Sequence, residues 1–242
     1  MDDKQAKLQS SIDAGQNIVF FGGAGVSTES GIPDFRSVDG LYHQKYPYPP
    51  EVMLSRSFFE KHPEEFFAFH REKLLYPSAK PNKAHLKLAE MEKAGKLKAV
   101  ITQNIDGLHQ MAGSREVLEL HGSVLRNYCV KCGKKYPVSF VAKGPGVPRC
   151  DVCGGVVRPD VVLYEEALDG EVMNKALDYI RKADILIIGG TSLVVYPAAG
   201  LVNYYRGNHL ILINKSPTSM DAMADLAISG PIGEVLGAIK VE

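Results

Sequence analysis

An apolar run that ends in a glycine cluster near the N-terminus constrains the fold of this chain more than any other stretch. Residues 18–21 read IVFF, and Gly22, Gly23 and Gly25 follow. Glycine has no Cβ, so it permits a tight turn and a close approach of backbone to ligand. A strand, a glycine turn and a helix start in this order present backbone N–H groups to a pyrophosphate. The stretch predicts an α/β fold with such a turn, although many glycine-rich turns serve packing alone.

The continuation of this turn, residues 31–36 (GIPDFR), is unusual. It places a carboxylate, an aromatic ring and a guanidinium directly after a rigid Gly-x-Pro turn. Thr28 occupies the position of the third glycine in a G-x-G-x-x-G motif, and no acid ends a second strand where a dehydrogenase would hold a ribose. The stretch therefore departs from the dehydrogenase pattern.

Short apolar runs rich in β-branched residues recur along the chain. Most lack polar alternation, as strands buried on both faces of a parallel sheet do. The predicted strands span residues 18–21, 99–102, 117–120, 185–188, 209–213 and 224–228. Helical patterns lie between them, for example over residues 82–94 and 171–182. The apolar face of the first of these helices comprises Leu86, Leu88, Ala89 and Met91. This alternation predicts a doubly wound parallel α/β sheet.

Two stretches interrupt the alternation. Residues 38–79 are rich in aromatics and prolines and are predicted to form a loop followed by a small helical module. Residues 126–156 hold every cysteine and are predicted to form a separate module. The remaining segments, 1–37, 80–125 and 157–242, are predicted to make up the α/β domain.

The four cysteines, Cys129, Cys132, Cys150 and Cys153, form two C-x2-C pairs. This spacing is typical of a structural zinc site, in which four thiolates fill a tetrahedral shell and leave no position for water. Two disulfides or a redox pair are the alternatives, and paired spacing without a secretory signal favours zinc. Nearby lysines and arginines also make a nucleic-acid-binding ribbon conceivable, but a solvated basic face is the favoured interpretation.

Charge and hydropathy exclude some function classes. Lys plus Arg (28) equals Asp plus Glu (28), so the net charge does not draw the chain to nucleic acid or membranes. No apolar run reaches the roughly 20 residues of a membrane span. The polar N-terminus is not a secretory signal. We therefore expect a cytoplasmic protein.

A cluster of amide and carboxylate side chains follows the predicted strand 99–102. Gln103, Asn104, Ile105 and Asp106 stand at the strand's carboxyl end, where open α/β sheets bind ligands. Two amides and a carboxylate can recognise a carboxamide and ribose hydroxyls. A helix N-cap on the segment 107–111 explains the same residues equally well.

His121 follows the next predicted strand on the same edge and is the histidine favoured as a proton acceptor. Small polar residues after the later strands extend the rim of this edge. They are Gly190, Thr191, Ser192 and Asn214. Each alone is typical of an ordinary loop, but their common place at strand ends predicts one ligand cleft.

Together these segments resemble the sirtuin family of NAD-dependent protein deacylases, in family order and over nearly the whole chain. The matching stretches are residues 23–27, 31–36, 103–106, 120–122, 190–192, Asn214 and the four cysteines. The resemblance implies a Rossmann-like domain and a small domain built from the four-cysteine zinc module and the helical insertion. NAD and an acyl-lysine protein or peptide would meet between them, in a compact bacterial member that we expect to be a monomer.

The resemblance also implies roles for individual residues. His121 would be the general base, and Asn104 and Asp106 would be further catalytic residues. Ile105 and Asp106 would hold the nicotinamide amide, and Phe35 would shield the ribose within a lid of residues 31–36. The NAD site would comprise Gly23, Ala24, Gly25, Thr28, Phe35, Arg36, Gln103, Asn104, Ile105, Asp106, Gly190, Thr191, Ser192, Asn214 and Ile232. The peptide site would comprise Val161, Leu163, Tyr164 and Val194.

The implied reaction consumes NAD as a co-substrate. The acetamide oxygen attacks the ribose as nicotinamide leaves, His121 deprotonates a ribose hydroxyl, and O-acetyl-ADP-ribose and free lysine result. Protein ADP-ribosylation from the same NAD site is the first alternative. A non-enzymatic zinc-ribbon protein that binds nucleic acid or a partner is the second, and the neutral charge disfavours it.

Three departures from the family pattern bear on specificity. Gly22 replaces a common threonine, which we expect to be a mild change. Glu165 replaces a glycine in the substrate strand and could alter peptide entry or favour basic peptides. The Tyr-x-x-Arg pair of desuccinylase-like members is absent from residues 67–73 (FAFHREK), which favours acetyl or other uncharged acyl groups.

Overall fold

The structure, a computed structural model, describes residues 3–35, 40 and 47–241. Within them six strands form one parallel sheet, and three form a smaller antiparallel sheet. In chain order the strands are β1 Ile18–Gly22, β2 Leu97–Thr102, β3 Val117–Glu119, β4 Gly122–Cys129, β5 Lys135–Pro137, β6 Val157–Val161, β7 Ile185–Gly189, β8 His209–Asn214 and β9 Leu226–Ser229.

The large sheet has the strand order β3-β2-β1-β7-β8-β9, and all of its neighbouring pairs are parallel. Its order reverses beside β1, as in a doubly wound fold. All six predicted strands are present, with the last one shifted toward the C-terminus. The prediction of a doubly wound α/β sheet is therefore confirmed.

Helices cover both faces of this sheet. In chain order they and the remaining helices are α1 Asp3–Ala14, α2 Pro50–Met53, α3 Arg56–Lys61, α4 Pro63–Lys73, α5 Lys83–Lys93, α6 Leu108–Ala112, α7 Val138–Ala142, α8 Gly170–Lys182 and α9 Ile232–Gly237. Alternate residues of β1 point to opposite faces. Ile18 and Phe20 pack in a core with α1, α5 and α9, whereas Val19 and Phe21 pack in a second core with α8.

The two helices predicted from apolar spacing are confirmed as α5 and α8, with one correction. Leu86 was expected on the apolar face of α5, but it is 53% exposed. Its place in the core is taken by Ala84 and His85, because the helix is turned so that residues 84, 85, 88 and 91 face the sheet. Asn82 caps this helix, since its side chain accepts a hydrogen bond from the Ala84 N–H at 2.9 Å.

A second layer of structure carries the cysteines. Its antiparallel sheet has the order β5-β4-β6, and a third core joins this sheet to α3, α4 and α7. The third core is rich in aromatic side chains, with Phe58, Phe59, Phe66 and Phe67 buried in it. The predicted small domain of cysteine module and helical insertion is thereby confirmed, whereas its exact boundaries stay a prediction. None of the helices in the described part of the chain is long and apolar enough to cross a membrane.

Candidate active site

The carboxyl ends of the central parallel strands bring the predicted site residues to one edge of the sheet. Gly22 of β1 lies level with Thr102 of β2 and with Gly189 of β7. The segments that follow these strands therefore start side by side, and Asn214 ends the neighbouring β8. This alignment confirms that the polar residues after the strands share one edge.

The first turn differs in detail from the expected helix start. Two short 3-10 helices, Ala24–Val26 and Thr28–Ser30, follow β1, and Gly31 ends the second with a φ of 82°. The Thr28 hydroxyl is turned back onto the Gly25 carbonyl at 3.0 Å. Because no long helix starts here, an anion at this turn would meet individual N–H groups and hydroxyls rather than a helix macrodipole.

The glycines of the first turn also serve packing, as the alternative interpretation held. The Gly25 N–H donates to the Gly190 carbonyl at 2.8 Å. A Cβ on Gly25 would lie 2.8 Å from Gly190 Cα, and a Cβ on Gly23 would lie 2.9 Å from Thr191 Cβ. The glycines thus allow the turns after β1 and β7 to touch.

A buried polar cluster joins the first turn to the segment after β2. The Ser27 hydroxyl donates to Asp106 Oδ2 at 2.6 Å and accepts from Asn104 Nδ2 at 3.1 Å. The Asn104 N–H is bound by the Thr102 hydroxyl at 3.0 Å. Asp106 Oδ1 also accepts the Leu108 N–H at 2.9 Å, so the helix-capping interpretation of Asp106 holds alongside its place in the cluster.

A second polar cluster ties the ends of β2, β7 and β8 together. Gln103 Nε2 donates to the Thr191 hydroxyl at 3.1 Å. The amide of Asn214 pairs with the backbone of Thr191, donating to its carbonyl and accepting its N–H at 3.0 Å each. These side chains therefore fix the rim in place before any ligand arrives.

His121 lies in the turn between β3 and β4 rather than at the very end of a strand. Its Nδ1 is 3.0 Å from the Gln103 carbonyl, so the tautomer that forms this bond carries its proton on Nδ1 and leaves Nε2 as an acceptor. Burial lowers the pKa of His121 below its ordinary value of 6.5, and the bond to the carbonyl offsets this lowering in part. The ring is thus neutral at pH 7 and can accept a proton.

The structure places the other predicted residues in different surroundings, and one of them is not described. Phe35 and Ile105 pack against the third core, and Val161 and Leu163 are buried in it. Tyr164 and Val194 are exposed in part, at 38% and 53%. Ile232, at the start of α9, packs where a Cβ on Gly189 would lie. Arg36 falls outside the described residues.

The sequence interpretation missed several residues that position the site. Ser27 lies within the stretch 23–27 that carries the family resemblance, so its hydroxyl was identifiable as a candidate site group from the sequence. Glu29 accepts the Gly233 N–H at 2.7 Å and so ties the first turn to α9. Asn82 donates to the Val26 carbonyl at 2.8 Å and to the Ser30 hydroxyl at 3.0 Å. No local signal marks these contacts of Glu29 and Asn82, because each joins residues that are distant in sequence.

The four cysteines form a site that fits a zinc ion. All four Sγ atoms lie within 4.8 Å of one another, with Cys129 and Cys153 at 3.4 Å and Cys132 and Cys150 at 3.6 Å. A tetrahedral shell with Zn–S bonds of about 2.3 Å has sulfur separations of about 3.8 Å, whereas a disulfide bond is about 2.05 Å long. The Tyr136 hydroxyl adds a hydrogen bond to Cys150 Sγ at 3.0 Å. The donor set and spacing match one structural zinc ion.

Comparison with known proteins identifies the family. The family model described as "Sir2 family" matches residues 23–197. The chain belongs to the Sir2 family. The matched stretch contains residues 103–106, His121 and all four cysteines, so the resemblance found from motifs is confirmed.

Relatives and solved structures of the Sir2 family align with nearly the whole chain. A protein of Clostridium perfringens (strain 13 / Type A), named NAD-dependent protein deacetylase, is 63% identical over 242 residues and covers 99% of each chain. A Sir2 structure with deacetylated p53 peptide and 3'-O-acetyl ADP-ribose has a TM-score of 0.88 and 39% identity, covering 96% of this chain and 95% of that one. A Sir2 structure with p53 peptide and NAD+ has a TM-score of 0.84 and 40% identity, covering 95% and 94%.

Proposed function

We propose that this protein is an NAD-dependent protein lysine deacetylase. It transfers the acetyl group of lysine to ADP-ribose and releases nicotinamide. The observation that carries the proposal is the meeting of Ser27, Asn104, Asp106 and His121 at one sheet edge, in a chain 63% identical to a protein of that name. NAD is a co-substrate of this reaction and is consumed at each turnover.

His121 is the proposed general base. Its Nδ1 donates a hydrogen bond to the Gln103 carbonyl, which fixes the orientation of the ring. The unprotonated Nε2 is then left available as a proton acceptor. A neutral imidazole at this position takes the proton of a ribose hydroxyl and so makes that oxygen a nucleophile. The lowered pKa keeps the ring in the basic form at neutral pH.

The Ser27–Asn104–Asp106 cluster is the proposed nicotinamide and ribose site. Asn104 and Asp106 share Ser27 as a common partner, so each polar side chain limits the orientation of the others. Ile105 and Asp106 would hold the nicotinamide amide. In this proposal NAD is also held by the remaining predicted residues of the described part of the chain, Gly23, Ala24, Gly25, Thr28, Phe35, Gln103, Gly190, Thr191, Ser192, Asn214 and Ile232. Arg36 stays a predicted NAD residue.

The zinc site has a structural role in this proposal. Four thiolates complete the shell, so no open position remains for a water or a substrate. The ion would hold the loops after β4 and before β6 together. The peptide would then dock on the segments that carry Val161, Leu163, Tyr164 and Val194.

The structure supports a preference for uncharged acyl groups. Phe67 and His70 are fully buried in α4. Arg71, the arginine of the stretch 67–73, donates to the carbonyls of Val141 at 2.8 Å and Gly146 at 2.7 Å. Its guanidinium is therefore engaged by the cysteine module, which supports acetyl over succinyl lysine.

The balanced charge supports proteins or peptides rather than nucleic acid as partners, and the monomeric state and cytoplasmic location stay predictions.

The decisive experiment incubates the purified protein with NAD and an acetyl-lysine peptide and analyses the products by mass spectrometry. Deacetylated peptide, nicotinamide and O-acetyl-ADP-ribose in equal amounts are expected. A peptide that gains ADP-ribose instead identifies an ADP-ribosyltransferase. Absence of nicotinamide release across an acyl-peptide panel contradicts an NAD-consuming enzyme and favours a zinc-containing binding protein.

A further inference from the structure

The segment that follows β6 is held against the start of α3 by backbone hydrogen bonds. The Tyr164 N–H donates to the Leu54 carbonyl at 3.0 Å, and the Arg56 N–H donates to the Tyr164 carbonyl at 3.0 Å. Ser55 and Tyr164 thereby form a parallel β-bridge. We call residues 162–166 the substrate segment, because the proposed function places the acyl peptide along it.

Glu165 adds a side-chain link at the same junction. Its Oε2 accepts the Ser57 N–H at 2.9 Å, and its Oε1 accepts the Ser57 hydroxyl at 2.9 Å. Ser57 is the second residue of α3, and N–H groups in a first helical turn have no acceptor within the helix. Glu165 therefore caps α3 from a position 108 residues away in sequence.

The backbone of Glu165 is unusual for its residue type. Its φ is 74°, and across residues 3–35, 40 and 47–241 Leu193 is the one other non-glycine residue with a positive φ. A glycine, which the family pattern places here, adopts this conformation without the Cβ clash that strains a glutamate. The two hydrogen bonds to Ser57 offset this strain. The chain thus has a glutamate at a position where the backbone conformation favours glycine, which has no side chain.

The neighbouring carboxylate has a different task. Glu166 pairs with Arg158 at 2.6 Å, and its Oε2 accepts the Leu163 N–H at 2.9 Å. Arg158 in turn lies over the ring of Phe59 in α3, 5.2 Å from its centroid. Glu166 therefore fixes the substrate segment to its own strand, while Glu165 fixes it to the helical module.

We propose that Glu165 is a positioning residue for the acyl-peptide site, which it serves by clamping the substrate segment to Ser57 of α3. The inference rests on the proposed deacetylase function. An extended peptide pairs with a strand edge through its backbone, and a preset edge spares the entropy of ordering it on binding. Both oxygens of the Glu165 carboxylate are bound to Ser57, so a positioning role predicts the same effect on peptides with different flanking charges.

The test compares Glu165→Gly, Glu165→Gln, Ser57→Ala and the double variant Glu165→Gly/Ser57→Ala. Each is assayed at saturating NAD with two acetyl-lysine peptides, one with basic and one with neutral flanks. Glu165→Gly is expected to raise the KM of both peptides roughly tenfold, because it loses hydrogen bonds to a charged group. Ser57→Ala keeps the backbone N–H as a donor, and Glu165→Gln keeps one acceptor oxygen. Each of these variants is therefore expected to raise the peptide KM roughly threefold.

Two further readouts separate positioning from general destabilisation. The kcat at saturating peptide and the KM for NAD are expected to stay within about twofold of the wild type. The double variant is expected to be no worse than Glu165→Gly alone, because Glu165→Gly already removes both hydrogen bonds to Ser57. Glu171→Gln, on the exposed first turn of α8, is the charge-matched control and is expected to behave as the wild type.

Two results overturn the positioning role while leaving the deacetylase function intact. One is an unchanged peptide KM in Glu165→Gly. The other is a KM rise confined to the basic peptide, equal in Glu165→Gly and Glu165→Gln and absent in Ser57→Ala, which identifies direct charge recognition. A wild-type protein that neither binds nor deacetylates either peptide overturns the proposed function, and the role of Glu165 with it.

Discussion

Ser27 Oγ donates a 2.6 Å hydrogen bond to Asp106 Oδ2 across 79 positions of the sequence. The same hydroxyl accepts from Asn104 Nδ2, so one serine connects the glycine turn after β1 to the polar segment after β2. Ser27 is 1% exposed. A short bond from a buried hydroxyl to a carboxylate is among the stronger hydrogen bonds in proteins, and it orients both partners.

The first prediction concerns this hydroxyl. Ser27→Ala leaves Asp106 Oδ2 and Asn104 Nδ2 without their shared partner, which costs about 1–3 kcal/mol. The kcat/KM for NAD is therefore expected to fall roughly 10- to 100-fold. Steady-state kinetics of nicotinamide release measures the effect, and Ser10→Ala on the exposed surface of α1 is the control. Wild-type kinetics in Ser27→Ala would show that the cluster does not support NAD turnover.

The second prediction concerns pH. His121→Ala is expected to lower kcat roughly 10²- to 10⁴-fold, because it removes the general base. Since burial depresses the pKa of His121, the ring is neutral above that pKa and active. In the wild type, kcat is expected to decline only as the pH falls below about 6.5. A pH series of initial rates checks this, with His209→Gln at the exposed start of β8 as control. A decline centred above pH 7 would contradict His121 as the base.

Features that depend on a local sequence pattern were predictable, whereas contacts between residues distant in the sequence were not. The strands of the large sheet were predictable because uninterrupted apolar runs such as residues 185–188 have few alternatives to burial. The four-cysteine site was predictable from spacing alone. By contrast, the capping of α9 by Glu29 and of α3 by Glu165 joins residues more than 100 positions apart. Nothing in the local sequence identifies such partners, since the sequence around a capping glutamate does not differ from that around any other exposed glutamate.

The third prediction concerns Gly22, whose replacement of a threonine was expected to be mild. A Cβ at Gly22 would lie 2.6 Å from Phe20 Cε1 and 3.2 Å from Val26 Cγ2, and the Phe20 side chain is fully buried. Gly22→Thr is therefore expected to destabilise the fold by about 1–3 kcal/mol through overpacking. Urea unfolding measures the loss. Adding Phe20→Leu is expected to cost less than the sum of the two single changes, and strict additivity would contradict the proposed clash.

The fourth prediction concerns retention of zinc. Tyr136 is buried, and its hydroxyl lies within hydrogen-bond distance of Cys150 Sγ and of the Asp151 carboxylate, which share its single proton. Tyr136→Phe is expected to weaken zinc binding roughly 10- to 100-fold, as loss of a hydrogen bond to a metal ligand does. Transfer of zinc to a chromogenic chelator measures the rate of zinc release, which is expected to rise in Tyr136→Phe. Tyr204→Phe is the matched control. Equal release rates in both variants would show that Tyr136 does not tune the site.

The fifth prediction concerns acid stability. Burial lowers the pKa of His70 to about 4, and both ring nitrogens lack a hydrogen-bond partner among the described residues. The folded state therefore binds this proton later than the unfolded state, whose histidine pKa is about 6.5. The stability that depends on neutral His70 is complete above about pH 6.5 and is lost as the pH falls toward 4.

The variant His70→Leu isolates this contribution, because a leucine fills the apolar site without a titrating group. Between pH 7 and pH 5 the wild type is expected to lose roughly 2 kcal/mol more unfolding free energy than the variant. Urea unfolding at the two pH values measures the difference, and titration of carboxylates cancels because it is common to both proteins. His209→Gln is expected to follow the wild type. If His70→Leu loses as much stability as the wild type, His70 binds its proton in the folded state near the ordinary pKa and is not the source of the acid sensitivity.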